Sequence, residues 1–115
     1  MVTIDTLREL ALSFPETTEE PHFEKTSFRV KKKIFATYDK KTNQACLKLS
    51  ESEQDVFSLY DRTIIHPVDN KWGKQGWTII EMKRVKKDIF IAALTSAYCE
   101  VAPQKLSTLN RPSRK

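Results

Sequence analysis

The chain has 115 residues, 39% of them hydrophobic and 30% charged, with a formal net charge of +5. That length suits one domain with room for a real core, and the composition excludes a disordered chain. No apolar run approaches the roughly 18 residues of a membrane helix, and the N-terminus MVTIDTLREL lacks the apolar stretch of a signal peptide, so a cytoplasmic protein is expected.

Residues 3–14 read as a helix, with Ile4, Leu7, Ala11 and Phe14 on one stripe, Thr3 as its cap and Pro15 as its stop. The acidic stretch PETTEEP, residues 15–21, reads as a loop. From His22 to Ser50 the apolar period becomes two. Phe28 and Val30 share a face, Ile34, Ala36 and Tyr38 alternate with Phe35, Thr37 and Asp39, and Ala45, Leu47 and Leu49 alternate with Cys46 and Lys48. Short polar connections join these runs, which predicts an antiparallel meander of three strands.

Ser50 and Glu53 form a capping box that opens a helix over about residues 51–60, with Val56, Leu59 and Tyr60 as its inner stripe. A weak strand at 63–67 and a firmer one at 77–83 follow, separated by the loop VDNKWGKQG. The clearest helix covers 86–102, where Phe90, Ala93, Leu94, Ala97, Tyr98 and Val101 recur at helical spacing before Pro103. The polar, basic residues 107–115 read as a disordered tail after a domain of residues 1–106. The order α-β-β-β-α-β-β-α predicts an α+β two-layer sandwich with a five-stranded antiparallel sheet, because the strand connections are too short for parallel crossovers.

Signals for catalysis are weak. His22 and Glu24 form an HxE, but no PCxxC follows to complete a zinc site, and His66 has no nucleophile signature beside it. Both histidines therefore read as structural or surface residues. Two glycines cannot write a phosphate-cradling loop, and Cys46 and Cys99 lie far apart outside any CxxC pair. A non-enzymatic protein with reduced thiols, no metal and no cofactor is expected.

Binding signals are stronger. Both tryptophans and both glycines fall within residues 72–77, interleaved with Lys74 and preceded by Lys71. Tryptophan can stack on bases or anchor an interface, and lysine can meet phosphate. Trp77 begins an apolar strand and reads first as a core residue, whereas Trp72 in the loop reads equally as core or anchor. Basic residues also crowd two turns: Lys31, Lys32 and Lys33 with Arg29 nearby, and Lys83, Arg84, Lys86 and Lys87 at a strand-to-helix junction. Charge follows this unevenness, since residues 1–57 carry a net −1 and residues 58–115 a net +6. His22, Phe28, Phe35, Trp72 and Trp77 are candidates to line a small-ligand pocket.

Taken in order, Leu12–Pro15, Thr18–Phe23, Ser27–Val30, Lys33–Ala36, Leu47–Ser50, Trp72–Trp77 and Ser96–Tyr98 with Val101, Ala102 and Pro103 resemble the MmcQ/YjbR-like family over about residues 4–106. The resemblance implies a secretion-chaperone-like two-layer fold and a "double wing" of hairpins that binds DNA, with wing tips at Lys31, Lys32, Lys33 and at the loop 71–76. It implies no catalytic residues. The segment before Trp72, Val68 to Lys71, departs from the expected aromatic or proline-rich approach, and the triple lysine is more basic than a typical family hairpin.

The leading expectation is a DNA-binding module whose contacts are Arg29, Lys31, Lys32, Lys33, Lys71, Trp72, Lys74, Lys83, Arg84, Lys86 and Lys87. DNA is favoured over RNA as the partner, and no membrane is expected. The alternatives are a protein-interaction or chaperone-like module, monomeric or homodimeric, and a small-ligand-binding domain.

Overall fold

The structure, a computed structural model, describes residues 1–104; the expected tail 107–115 lies outside the described residues. The elements run α1 (Ile4–Ser13), β1 (Thr17–His22), β2 (Lys25–Val30), β3 (Lys33–Asp39), β4 (Gln44–Lys48), α2 (Glu51–Ser58), β5 (Ile65–Pro67), α3 (Lys71–Lys74), β6 (Trp77–Glu81) and α4 (Lys87–Val101). The fold is α+β, with one antiparallel sheet in the order β1-β2-β3-β4-β6-β5. No helix among the described residues is long and apolar enough to cross a membrane.

The sheet has six strands rather than the expected five. The extra one is β1, in the segment that reads as an acidic loop. Its residues carry no apolar alternation, and Pro21 argues against a central strand. At a sheet edge neither objection holds, because one side of the strand needs no ladder partner. Tertiary contacts fix β1: Arg8 Nε donates to Glu19 at 2.8 Å, Ser27 Oγ donates to the Glu20 carbonyl at 2.8 Å, and Tyr98 Oη donates to the Pro15 carbonyl at 2.8 Å.

Sheet register sets two unlike faces. Phe28, Ala36, Leu47 and Thr78 form one cross-strand row, and Ser27, Thr37, Cys46 and Ile79 the next, pointing the other way. The first row belongs to a core shared with Leu7 and Ala11 of α1 and Phe90, Ala93, Leu94, Ala97 and Tyr98 of α4. At its centre Tyr98 stacks on Phe14 with centroids 4.6 Å apart and meets Phe35 edge-on at 5.5 Å. A register shift between Phe28 and Arg29 pairs Phe28 with Ala36 but Arg29 with Ile34. Phe35 is the extra residue of this bulge and joins Ala36 in the core, which breaks the expected alternation and leaves Ile34 and Thr37 on the second face.

The Glu53 amide donates to Ser50 Oγ at 3.2 Å, as the capping signature requires. The inner stripe of α2 is not the expected one: Val56 and Leu59 are 64% and 70% exposed and Tyr60 is exposed too, while Gln54 and Ser58 are buried. Gln54 faces inward because its amide has buried carbonyls to satisfy, and the helix turns to deliver it there.

Candidate nucleic-acid interface and open sheet face

The tryptophan-bearing loop is locked from several sides. Asn70 Oδ1 accepts the Trp72 amide at 2.8 Å and starts the short helix α3. Gln54 Nε2 spreads its two N–H donors over the Gly73 carbonyl at 2.9 Å, Thr78 Oγ1 at 3.0 Å and the Trp77 carbonyl at 3.2 Å. Thr78 Oγ1 passes a bond on to the Gly76 carbonyl at 2.9 Å.

Both glycines are required by close packing. A Cβ at Gly73 would lie 1.9 Å from the Val68 carbonyl oxygen, and one at Gly76, where φ is +106°, would lie 1.9 Å from the Leu49 carbonyl oxygen. The loop therefore holds Trp72 in place at 50% exposure, with Lys71 Nζ 5.9 Å from its ring centroid.

Across the sheet face that α1 and α4 leave open runs a groove of about 440 Å³. Ile34, Thr37 and Cys46 form its floor, Val68, Trp72 and Trp77 wall one end, and His22 and Lys25 stand at the other. Of the five expected pocket residues, His22, Trp72 and Trp77 meet here. Phe28 and Phe35 do not, because both are fully buried on the opposite face. Trp77 is half-buried in the groove, at the start of β6. Lys25, Ile34, Thr37, Cys46 and Val68 are the lining residues that motif reading missed. Their signal was strand parity, since Cys46 lies out of phase with Ala45 and Leu47.

Burial pushes the Cys46 thiol up from its ordinary 9.0 to about 11, although the Lys25 charge and a backbone hydrogen bond from Thr78 pull the other way. Such a thiol stays protonated at neutral pH, the opposite of what a thiolate nucleophile needs. His22 meets Phe23 edge-on at 4.9 Å, and Phe23 sits at the β1–β2 turn with φ +59° and 94% exposure.

The candidate cations do not form one strip. Lys33 at the start of β3, Lys48 at the end of β4 and Trp77 at the start of β6 share one end of the sheet, so Lys31, Lys32, Lys33, Lys71 and Lys74 gather there. Lys83, Arg84, Lys86 and Lys87 follow Glu81 at the other end, about 17 Å away for strands of this length. Among the described residues Lys31 is ion-paired with Glu16, while Lys32, Lys33, Lys71 and Lys74 have no carboxylate oxygen within 4.0 Å. Glu51, Asp55 and Asp69 line the same depression as Lys71 and Lys74 and offset part of their field. Arg29 donates to Ser27 Oγ at 2.9 Å and to the Pro21 carbonyl at 3.4 Å, which orients it on the open face.

The β2–β3 turn carries backbone strain. Lys31 and Lys32 have φ of +51° and +70°, the pattern of a two-residue turn that favours Asn-Gly. Lysine there costs about 1–2 kcal/mol per residue relative to glycine.

A family model described as YjbR matches residues 12–100. The crystal structure of Deinococcus radiodurans protein DR2400, which carries domain DUF419, superposes with a TM-score of 0.79 at 21% sequence identity, covering 96% of this chain and 86% of that one. No curated protein sequence matches the chain.

Proposed function

The chain belongs to the YjbR family, and from that premise we propose that it is a non-enzymatic DNA-binding domain that takes phosphates at the tryptophan end of its sheet. The observation that carries this reading is the β2–β3 turn, where two lysines occupy left-handed positions that Asn-Gly would fill at lower cost. Strain kept at an exposed turn, in exchange for adjacent cations at a hairpin tip, points to use of those cations. Lys32 and Lys33 have no carboxylate partner among the described residues, Arg29 lies on the neighbouring strand, and Lys71 and Lys74 extend the same end of the sheet. Phosphate contacts supply most of the affinity, with weak sequence preference.

With about five phosphates engaged, the logarithm of the duplex association constant falls against log salt with a slope near −4 to −5. Titration of labelled duplex at about 50 and 200 mM salt reads that slope. Lys32→Glu with Lys33→Glu weakens binding strongly, whereas Lys86→Glu with Lys87→Glu, at the far end of the sheet, leaves most of it. No micromolar binding at about 50 mM salt overturns the reading, and equal losses from the two pairs reduce it to unspecific attraction by net charge.

A second reading, self-association, draws on the exposed Val56 of α2 and Leu59 and Tyr60 just after it. Light scattering tests it, with a strict monomer at high concentration counting against it.

A further inference from the structure

We propose that the open-face groove is a pocket for a single unstacked nucleobase, which lies against the indoles while its phosphate reaches Lys25 and His22, so that single strands bind in preference to duplex. This deepens the DNA-binding reading and rests on it. It adds an anion contact at the end of the sheet opposite to Lys31, Lys32 and Lys33, since Thr26 beside Lys25 pairs with Tyr38, and Asp39 lies in register with Gln44 and Glu81. The groove is chemically divided. One end is apolar and aromatic, with Trp72 and Trp77 beside Val68, and the other is cationic and hydrogen-bonding, with Lys25 and His22. That division matches a ligand with a flat aromatic body and an anionic group, which is the chemistry of a nucleotide.

Charge complementarity favours the anion at the Lys25 end. Lys25 has no carboxylate oxygen within 4.0 Å among the described residues. Glu24 and Asp39 line a depression beside Lys25 together with Lys41 and offset part of its field; Glu24 pairs with the Lys41 ammonium, and Asp39 accepts the Lys41 amide at 2.9 Å. At about 440 Å³ the groove falls among clefts that hold small ligands.

Geometry also favours a single strand. A base paired and stacked in duplex presents only its edge, and cannot lie flat in a groove on a sheet without leaving the stack. Beyond His22, Phe23 stands almost fully exposed at a turn whose backbone is unfavourable for a bulky side chain. It offers the next base a second stacking platform, so a strand can cross the face from the β1–β2 turn toward α3. The glycine packing and the Gln54 amide hold Trp72 before any ligand arrives, which lowers the ordering cost of binding.

The test titrates the full chain with a short single-stranded oligonucleotide, a duplex of the same length and salt, and deoxyadenosine 5′-monophosphate, read by label anisotropy and tryptophan quenching. The single strand is expected to bind roughly tenfold or more tighter than the duplex. Trp72→Ala brings that ratio near one, Trp72→Phe restores most of it, and Lys25→Gln weakens the mononucleotide. Unchanged thermal unfolding of Trp72→Ala shows that the loss is not one of folding.

Single and double strands of equal affinity, with Trp72→Ala silent, overturn the groove proposal and leave the DNA reading standing. Mononucleotide quenching that depends on Trp72, without any binding of the polymers, overturns the DNA reading and with it the single-strand preference, leaving a site for a free nucleotide. No response to any of the three overturns both.

Discussion

Leu47 and Cys46 are neighbours in β4, yet one is sealed into the core and the other opens onto the groove. The whole sheet repeats this contrast. On the covered side, Phe28, Phe35, Ala36, Leu47 and Ile80 share one core with residues of α1 and α4, and the Thr78 hydroxyl is taken up by Gln54 and the Gly76 carbonyl. On the open side, Ile34, Cys46 and Trp77 are interleaved with Lys25, Thr37, Arg29 and His22. A sheet face built only for solubility would carry few apolar side chains. The groove on this one is lined by Trp77, by Trp72 of α3 and by polar groups, the mixture found where ligands bind. One face carries the core, and the other carries the groove.

The sharpest test of that division is to change adjacent residues. Leu47→Ala should lower unfolding free energy by about 2–5 kcal/mol in urea denaturation, through lost burial and a cavity. Cys46→Ala, one position away, should cost about 1 kcal/mol or less. Similar losses from the two would break the comparison.

Next in size are the contacts that hold the aromatic loop to the sheet. Gly76→Ala places a side chain at positive φ and against a backbone carbonyl, and should cost about 1–3 kcal/mol together with altered tryptophan emission. Gln54→Leu removes the donor to the Gly73 and Trp77 carbonyls and should destabilise by about 1–3 kcal/mol in the same assay.

Replacing Lys31 and Lys32 by Asn and Gly should move stability and binding in opposite directions. Relief of the turn strain raises stability by about 1 kcal/mol, less the small contribution of the exposed Lys31–Glu16 pair, while duplex affinity falls. A variant that loses stability, or binds as well as the wild type, would remove the turn from the functional account.

The smallest expected effect is in alkali. The folded value of Cys46, about 11, lies above that of the unfolded chain, so the native state keeps a proton that the unfolded state has lost. Its stabilisation is complete below about pH 9 and disappears as pH rises toward 11. Urea titrations across that range should show a steeper decline for the wild type than for Cys46→Ala.

Much of the scaffold is legible in the sequence, for identifiable reasons. The i, i+3, i+4 recurrence from Phe90 to Val101 marks α4, and Thr3 and Ser50 mark the helix starts, because each signal depends on residues close in the chain. β1 is illegible because an edge strand of polar residues has no alternation to display. The face of α2 is misleading because a glutamine that satisfies three distant acceptors outweighs exposed Val56 and Leu59, and nothing local announces those acceptors. In the site, His22, Trp72 and Trp77 are found by residue type, whereas Phe28 and Phe35 are placed on the wrong side by the same reasoning.

The sequence by itself determined the fold class, most element positions, and which residue types could meet a polyanion, since periodicity, caps and composition act over a few residues. Tertiary structure alone decided which cations share an end and which apolar side chains face the open groove. Both depend on strand register and on one bulge at Phe35, where a shift of a single residue exchanges the two faces of a strand.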